Sequence, residues 1–580
     1  MTQEASRSFY SHGVAPPKQI TAIPIARTRK RDSMQDREVK RQEDPLPVIE
    51  GSQPPINHKK LSLIMIGLIV AVSMTNIDST IVSLSSQAVQ SGLGLTASGI
   101  QWIVNAYMLA AAATFPICGH LSDLAGYKRI MLSGTFLFGM GSLCCGLIPA
   151  NSLSLMLMIF SRALQGIGSA MMFPAAIGIL FSYSAENRRA GNMALFFAIT
   201  GAMTCLGPIL GSWLIQYSWR DIFFINLPLA LAAIAMIVSM IPKDSPTTEP
   251  GSQHIDWAGG LAVGLAMIAL IVPIQQGSTV GWSDWRIIAS FGASLVLFLV
   301  FGFWDSHVDN PIIKLRIFRN PPFDISQLAM LVAAVIFQPI MYFLSVYGLL
   351  ALNRSTLMTS LFILYFFLGF LVSALLGAQL FNRHGMKPVL LIAGLIAATG
   401  FSLMSLTAGS LDKGLPSNTV WLSLSMVVAG AGIGFMFSPS STDAVNRAIN
   451  ASYGEVTAIN QTFKNFGGAL GMAMLGPLCT HYFALDIHKA LGKYGVSASR
   501  AQAIADTIGS GTSAGAQSQF ASMPQSMRNM IMPLIRASYA SGSSKVFLAM
   551  GCLSLLFIPL ALLYPRKGKQ IFAGKTIKNQ

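Results

Sequence analysis

Long runs of apolar residues dominate this chain, and short polar segments separate them. A helix of about 18 or more apolar residues is long enough to cross the hydrocarbon core of a bilayer. Fourteen such windows occur, and they predict fourteen transmembrane helices. The predicted spans cover residues 61–87, 100–119, 129–148, 153–180, 193–216, 222–241, 257–276, 286–304, 325–349, 356–381, 388–408, 419–440, 456–484 and 545–564.

The composition supports an all-α polytopic membrane protein in contact with a lipid bilayer. Of the 580 residues, 53% are hydrophobic and only 11% are charged, whereas about a quarter of a soluble domain is charged. The net charge of +16 could indicate a nucleic-acid partner. Much of it lies in the tails and short loops, as membrane topology requires, so we expect no nucleic acid. The six cysteines lack metal-ligand spacing, and we expect neither a metal site nor a disulfide framework.

The distribution of Lys and Arg between the short loops predicts the orientation. If the amino terminus is cytoplasmic, the short cytoplasmic loops hold eleven basic residues and the short outer loops hold four. The eleven are Lys128, Arg129, Arg188, Arg189, Lys243, Lys314, Arg316, Arg319, Arg383, Lys387 and Arg447, and the four are Arg220, Arg286, Arg354 and Lys413. An even number of spans then places both termini in the cytoplasm.

Three segments lie outside the predicted spans and are long enough to be separate features. Residues 1–58 are polar and basic and lack the apolar core of a signal peptide, so they predict a disordered cytoplasmic tail. Residues 485–544, rich in Ala, Ser and Gly, predict a long external loop with one or two amphipathic helices. Residues 566–580 predict a second cytoplasmic tail.

Asp78 is the most informative charged residue, because it lies near the outer end of the first predicted span. A charge there costs several kcal/mol or more, so a purely structural helix has no evident reason to carry it. The functional interpretation is a carboxylate that takes up and releases protons. The alternative is a structural acid that fixes the first helix by hydrogen bonds. Arg162 in the fourth span is too deep to reach water and needs a partner, which could be Asp78 or a backbone carbonyl.

Two similar loops occur at corresponding places in the two halves of the chain. One covers 119–129, between the second and third spans, and the other covers 378–387, between the tenth and eleventh. Aligning them pairs Gly126 with Gly385, Asp123 with Asn382, and Lys128 with Lys387. Such a repeat indicates two homologous halves.

The residues of these loops suggest a charged latch that holds two helical bundles together in one conformation. Glycine permits tight reversals and close approach, and an acid can cap a helix end. Because Asn382 replaces the acid, we expect the second copy to be weaker. The predicted latch residues are Gly119, Asp123, Gly126, Lys128, Arg129, Asn382, Arg383, Gly385 and Lys387.

The duplicated loop resembles the signature loop of the major facilitator superfamily. Residues 162–168 resemble its Arg-x-x-Gln-Gly-x-Gly motif, and 207–211 resemble the Gly-Pro-x-x-Gly-Gly motif of its exporters. Residues 78–82 are similar to the Asp-x-Thr-Ile-Val start of its fourteen-helix drug:proton antiporters, the EmrB/QacA type. The resemblance covers about 60–565. The tenth span has no acidic residue, unlike some relatives that export divalent organic cations.

The resemblance implies the major facilitator fold, with two six-helix bundles at 59–241 and 305–565 and two inserted transmembrane helices within 242–304. It places the first and fourth helices together, so Arg162 would tune the protonation of Asp78. The exporter motif, Gly207, Pro208 and Gly211, would kink the fifth helix and limit leak. Side chains that could line a cavity between the bundles are Tyr107, Gln165, Gln338, Tyr342, Tyr365, Asn460 and Lys464. Tyrosines could instead face lipid or core, and Lys464 could be an interfacial lysine that extends to the cytoplasm.

The function that the resemblance implies is proton-coupled export of amphipathic organic compounds by alternating access, in the cell (inner) membrane. No nucleotide-binding loop or catalytic constellation occurs, so we expect no enzyme activity, no cofactor and a proton gradient as the energy source. The alternatives are export of one dedicated solute, such as a siderophore or amino acid, and a membrane sensor or enzyme. The external loop 485–544 could dock a periplasmic adaptor protein.

Overall fold

The computed structural model describes the membrane domain and leaves out both predicted tails and the middle of the predicted external loop. The described residues are 58–95, 97–185, 188–204, 206–242, 256–308, 311–409, 417–447, 452–492 and 525–565. No strand occurs within these ranges. The α-helices are α1 His58–Leu84, α2 Ser86–Leu93, α3 Ala97–Ala125, α4 Tyr127–Leu147, α5 Ser154–Tyr183, α6 Arg189–Met203, α7 Leu206–Leu214, α8 Asp221–Phe224, α9 Asn226–Met240, α10 Trp257–Val280, α11 Trp285–Asp305, α12 Pro321–Val346, α13 Thr356–His384, α14 Met386–Gly409, α15 Ser417–Arg447, α16 Tyr453–Gly492, α17 Gln525–Ser554 and α18 Phe557–Leu563.

Thirteen segments of the described chain are long and apolar enough to cross a membrane, and they match thirteen of the fourteen predicted spans. The remaining span, 193–216, was predicted as one helix but consists of α6 and α7. Pro208 has no N–H and cannot donate to the carbonyl of Thr204, four residues earlier. That carbonyl instead accepts a hydrogen bond from Thr80 Oγ1 of α1, at 3.0 Å. The break is thus stabilised by a neighbouring helix.

The predicted external loop is shorter than 485–544, because helices extend into both of its ends. Helix α16 has 40 residues and is about 60 Å long, so it is longer than the bilayer is thick. It ends at Gly492, and α17 already begins at Gln525. These helix extensions contain polar and small residues, so their sequences are not apolar enough to be predicted as membrane spans. The amphipathic helices expected between them fall largely on 493–524, outside the described residues.

The helices form two bundles. Helices α1, α3–α6 and α9 surround one apolar core, which residues of α12, α15 and α16 join at the seam, and α7 and α8 pack on a smaller cluster of the same bundle. Helices α12–α18 surround another core that is rich in Phe. The bundles meet where α3 packs on α16 and where α6 packs on α13 and α15. Helix α10 packs on both α3 and α16, and α11 packs on α10. The two inserted helices therefore flank one seam between the bundles.

Candidate functional site

A buried ion pair in the first bundle joins Asp78 of α1 to Arg162 of α5. Arg162 Nη1 contacts Asp78 Oδ2, and the two side chains are 0–1% exposed. Asp78 Oδ1 accepts two further hydrogen bonds, from Gln165 Nε2 at 3.1 Å and from Asn226 Nδ2 of α9 at 3.0 Å. Two helices, α5 and α9, thus place three donors around one carboxylate of α1.

A second set of polar groups fixes the orientation of these donors. Arg162 Nη1 also donates to Gln165 Oε1 at 2.7 Å. Ser142 Oγ of α4 accepts from Gln165 Nε2 at 2.6 Å and from Asn226 Nδ2 at 3.2 Å. The guanidinium carbon of Arg162 lies 4.6 Å from the centroid of the Tyr107 ring. The network therefore involves α1, α3, α4, α5 and α9. A change of charge at the carboxylate would alter hydrogen bonds or ring contacts made by all five helices.

The arrangement suits a carboxylate that changes charge. An ionised carboxylate only accepts hydrogen bonds, and here Asp78 faces a guanidinium and two amide N–H donors. A proton on Asp78 would remove the charge that compensates Arg162, leaving a buried guanidinium beside neutral groups. Because such a cation is costly without its partner, proton binding would favour rearrangement of the helices.

The first bundle brings together four of the predicted site residues and two that the sequence analysis missed. Asp78 and Arg162 are in contact, which agrees with the expected pairing. Tyr107 and Gln165, considered as cavity lining, belong to this network and are 8% and 0% exposed. Asn226 and Ser142 were missed, although an amide inside the predicted span 222–241 is itself a signal of a buried polar contact.

The first loop of the predicted latch contacts the second bundle. Asp123 Oδ1 accepts from Gly454 N at 3.0 Å, and Oδ2 accepts from Glu455 N at 3.2 Å and from Ser452 Oγ. Asp123 therefore caps the amino end of α16 in the other bundle. A carboxylate at this position interacts favourably with the free N–H groups and the dipole of the helix. We call the end of the molecule that holds this contact the latch end.

Glycines allow the two bundles to touch at the latch end. A Cβ atom at Gly119 of α3 would lie 2.6 Å from the backbone oxygen of Gly454 of α16. Gly126 adopts φ +96°, which glycine tolerates and side-chain-bearing residues rarely do. Lys128 Nζ donates to the carbonyl groups of Val238 and Ile241 at the end of α9, and Arg129 is exposed. The bundles are therefore closed against each other at this end.

The second copy of the loop makes no equivalent contact within the described residues. Gly385 adopts φ +80° between α13 and α14, as the repeat predicts. Asn382 is exposed, and none of the side-chain hydrogen bonds between described residues involves it. Arg383 is also exposed, and Lys387 is half-buried. The latch expected from both loops is thus built mainly by the first.

The exporter motif packs against the helix that carries Asp78. A Cβ atom at Gly207 would lie 1.9 Å from Thr80 Oγ1, and one at Gly211 would lie 3.0 Å from the Ile81 side chain. Asn76 Nδ2 of α1 also donates to the carbonyl of Thr200 in α6 at 3.0 Å. Only glycine permits so close a crossing. The exporter motif therefore packs on the same helix, α1, that carries the Asp78 carboxylate.

The remaining candidates for cavity lining occupy different environments. Asn460 is buried inside the second bundle, where its amide donates to Gln327 at 3.3 Å. Gln338 packs beside Gly468 of α16, and Tyr342 is half-buried. Tyr365 is 46% exposed and shares a helical stripe of α13 with the exposed residues Leu361, Leu368 and Val372. That stripe is typical of a lipid-facing surface, so Tyr365 does not fit the expected position.

Lys464 lies between the bundles. Its Nζ is 5.4 Å from the centroid of the Phe173 ring in α5 and 5.9 Å from that of the Phe437 ring in α15. The residue is eleven positions into α16, about 17 Å from the latch end of that helix. This position between the two bundles, away from the end of the helix, favours a role in the pathway over an interfacial lysine that extends to the membrane surface.

A second buried ion pair was missed by the sequence analysis. Arg447, assigned to a cytoplasmic loop, is the last residue of α15 and is 1% exposed. Its Nε contacts Asp443 Oδ1 at 2.7 Å, and Asp443 Oδ2 accepts from Ser326 Oγ at 2.5 Å and from the Tyr564 hydroxyl. The apolar window 419–440 ends just before this pair, so the pair fell into the presumed loop. Arg447 therefore does not count as a loop residue. This leaves ten basic residues in the predicted short cytoplasmic loops against four in the predicted short outer loops.

Chemistry that would need a metal has no support in the described residues. No group of three or more His, Cys, Asp or Glu side chains in this part of the chain is placed to hold a metal ion. The five cysteines within the described ranges are free.

Similar proteins share the membrane domain of this chain. Multidrug resistance protein 3 of Bacillus subtilis is 28% identical over 82% of this chain and 90% of its own length. The multidrug transporter protein MdtP of the same organism is 29% identical over 74% of this chain and 76% of its own. The tetracenomycin C resistance and export protein of Streptomyces glaucescens is 26% identical over 87% and 91%.

Solved structures with the same fold include the proton:xylose symporter XylE, with a TM-score of 0.54, 13% identity and coverage of 90% of this chain and 98% of that one. A bacterial homologue of the lysosomal transporter Spinster gives a TM-score of 0.51 at 13% identity, covering 88% and 98%. The sequence model of the Major Facilitator Superfamily matches residues 66–472. With that match over most of its length, and with a structure made of two helical bundles, the chain belongs to the Major Facilitator Superfamily.

Proposed function

We propose that this protein exports amphipathic organic compounds in exchange for protons, as a multi-pass protein of the cell (inner) membrane with both termini in the cytoplasm. The observation that carries the proposal is the buried Asp78–Arg162 ion pair with its amide donors. Buried ionisable groups inside membrane bundles are typical of proton pathways. Three relatives are named for multidrug resistance, for multidrug transport, and for tetracenomycin C resistance and export, and these names support organic compounds as the substrate class.

The proposed cycle uses the ion pair as the link between proton binding and conformation. With Asp78 ionised, Arg162 is neutralised and the network of the first bundle is complete. A proton that enters from the outer side cancels this pairing and favours the alternative packing of α1 and α5, which is open to the cytoplasm. There the proton departs inward and substrate binds. The ionised, loaded protein then returns to the first conformation, from which substrate leaves outward. Each conformation is thus preferred by one protonation state, which is the requirement for coupled exchange.

The proposed latch stabilises the conformation that is closed toward the cytoplasm. The Asp123 cap on α16 lies at the end of the molecule whose short loops carry most of the Lys and Arg residues. Ten basic residues in the loops at this end, against four at the other, support a cytoplasmic position for it. A conformation that is closed at the cytoplasmic end is consistent with this cap. The exporter motif would seal the first bundle against leak.

Transport in proteoliposomes tests the proposal. The purified chain is reconstituted, and efflux of amphipathic fluorescent compounds is followed with and without an imposed pH gradient. We expect the gradient to accelerate efflux and a protonophore to abolish the acceleration, with no added nucleotide or other cofactor. Equal flux with and without the gradient would reject proton coupling.

A dedicated exporter of one solute is the second candidate function. It is favoured by the relative from Streptomyces glaucescens, whose name describes resistance to and export of a single compound. A substrate panel in the same proteoliposomes separates the two candidates. Gradient-driven efflux of several unrelated compounds supports a multidrug exporter, and efflux of one supports the dedicated one. A periplasmic adaptor at the external loop remains part of this proposal, since that segment falls mostly outside the described residues.

Weakening the latch is expected to expose the latch end to solvent. Ser122 is 0% exposed beside the contact between α3 and α16, so a Ser122→Cys thiol should react slowly with an impermeant maleimide. In a background without native cysteines, Asp123→Ala should raise that rate about fivefold, because the lost interaction with a helix terminus is of order 1 kcal/mol. The matched control is Asn382→Ala in the second loop, where no change is expected. A rate unaffected by Asp123→Ala would contradict the latch.

A further inference from the structure

Lys464 is a cation in the middle of the membrane domain without an acidic neighbour. None of the acidic side chains of the described residues lies within ion-pair distance of it. Asp78 and Asp443, the two acids that form buried ion pairs with arginine, are engaged by Arg162 and Arg447. Lys464 therefore has no counter-ion in direct contact among the described residues.

The position of Lys464 makes its amine accessible to a ligand. The side chain is only half-buried although it is about 17 Å from the latch end of α16, so part of it faces space within the bundle. Its two aromatic neighbours come from different bundles, Phe173 from the first and Phe437 from the second. A site between the bundles at mid-depth is where transporters of this architecture bind substrate.

The aromatic faces compensate the charge only in part. A cation over an aromatic ring gains about 0.5–2 kcal/mol, whereas an ion inside a membrane protein costs several kcal/mol without a counter-ion. A bound anion would supply the missing compensation through a charge-assisted hydrogen bond. A bound cation would be repelled, and within the described residues no unpaired acid lies nearby to offset that repulsion.

A wall of phenylalanine rings adjoins the amine and fits an apolar body attached to such an anion. The Phe437 ring is 4.8 Å from the Phe337 ring and 5.6 Å from the Phe370 ring, measured between centroids. Phe370 also reaches the first bundle, since a Cβ atom at Gly201 of α6 would lie 3.3 Å from its ring. Helix α13, which carries Phe370, has no acidic residue.

We propose that Lys464 binds the negatively charged head of the substrate, so that the exported compounds are amphipathic organic anions such as aromatic carboxylates. The inference rests on the proposed transport function and specifies its substrate class. It assigns Phe173 and Phe437 to the contact with the apolar part of the substrate. Cationic dyes and drugs are correspondingly poor substrates.

Equilibrium binding to the full-length chain in lipid nanodiscs, without any gradient, tests the proposal. Three probes share one ring system and differ in charge: 2-naphthylacetate, 2-naphthylacetamide and 2-(2-naphthyl)ethylammonium. We expect the wild type to bind the anion about tenfold more tightly than the neutral amide, as one charge-assisted hydrogen bond provides. The cation should bind more weakly than either.

Variants at one position locate the effect. Lys464→Gln should abolish the preference for the anion, and Lys464→Arg should retain it. Lys545→Gln is the matched control, because Lys545 also lies over an aromatic ring, that of Tyr482 at 6.0 Å, but is exposed. It should bind like the wild type.

Several outcomes would overturn the proposal. They are equal binding of the three probes by the wild type, binding of none of them, preference for the cation, and an anion preference that survives Lys464→Gln. The wild-type comparison decides the question even if a variant fails to fold. Because binding is measured without a gradient, loss of pH-driven transport with anion preference intact would count against proton coupling and leave the role of Lys464 standing.

Discussion

Replacing Asp78 with Asn is expected to reduce pH-gradient-driven efflux to the level of protein-free liposomes. The amide has nearly the same shape, and its single oxygen can still accept from Arg162, but it cannot take up a proton. Alternating access itself should persist with the rearranged conformation favoured, so exchange of labelled for unlabelled substrate without a gradient should continue, but more slowly than in the wild type. Both rates are measured on the same proteoliposomes.

The matched control for this variant is Asp443→Asn. Asp443 is also a buried acid that contacts an arginine, but it lies at the latch end of the second bundle. We expect this variant to lose stability and to retain its response to the gradient. If Asp78→Asn kept gradient-driven efflux, or if Asp443→Asn lost it equally, the assignment of the coupling group to Asp78 would be wrong.

Replacing Arg162 with Ala is expected to abolish transport while the protein still inserts into the membrane. The variant leaves the Asp78 carboxylate, which is 0% exposed, without its cation. Breaking a buried pair from one side costs about 3–5 kcal/mol, unless the remaining acid keeps a proton and stays neutral. Either result removes the exchange between two protonation states. Efflux under a gradient and thermal unfolding of the purified protein measure the two consequences.

A double-mutant cycle separates lost coupling from general damage around Arg162. The double variant Asp78→Asn/Arg162→Gln replaces both charges by amides, so it should regain much of the stability that Arg162→Gln alone loses, yet remain uncoupled. Arg162→Lys keeps the charge but not the planar group that reaches Asp78 and Gln165 together. We expect it to transport weakly. Undiminished efflux by Arg162→Ala would refute the proposed role.

Local apolar windows were sufficient to predict most of the membrane helices, because crossing a bilayer imposes a minimum length and excludes charge. The apolar windows did not predict helix breaks that depend on contacts with another helix. The break between α6 and α7 depends on the bond from Thr80 to the carbonyl of Thr204. The extensions of α16 and α17 beyond the apolar windows contain polar and small residues, and hydropathy does not report helices that leave the membrane.

The site was predictable to the extent that single residues stood out. A lone carboxylate in an apolar span pointed to Asp78, and the cost of an isolated guanidinium predicted a partner for Arg162. The other members of the network are far from their partners along the chain, and a search along the sequence does not connect them. Asn226 is 148 positions from Asp78 and 84 positions from Ser142. Asp443 and Arg447 were missed because polar residues at the end of a span resemble a loop.

The structure also changed the interpretation of several residues that the sequence had already identified as candidates for cavity lining. Tyr107 and Gln165 belong to the Asp78 network, and Tyr365 faces outward. Lys464 could not be distinguished from an interfacial lysine until the beginning of α16 was known. Once the helix is seen to begin at Tyr453, the depth of the amine follows from the rise per residue.

The protonation state of Asp78 in the two conformations tests the central claim most directly. Infrared difference spectra of protein with isotope-labelled aspartate report the protonated carboxyl group, and subtraction of Asp78→Asn spectra isolates this residue. The Ser122→Cys accessibility identifies which end is open. We predict a carboxylate when the latch end is closed around the complete network, and a protonated carboxyl in the rearranged state. An Asp78 that keeps one protonation state in both conformations across the working pH range would contradict the account.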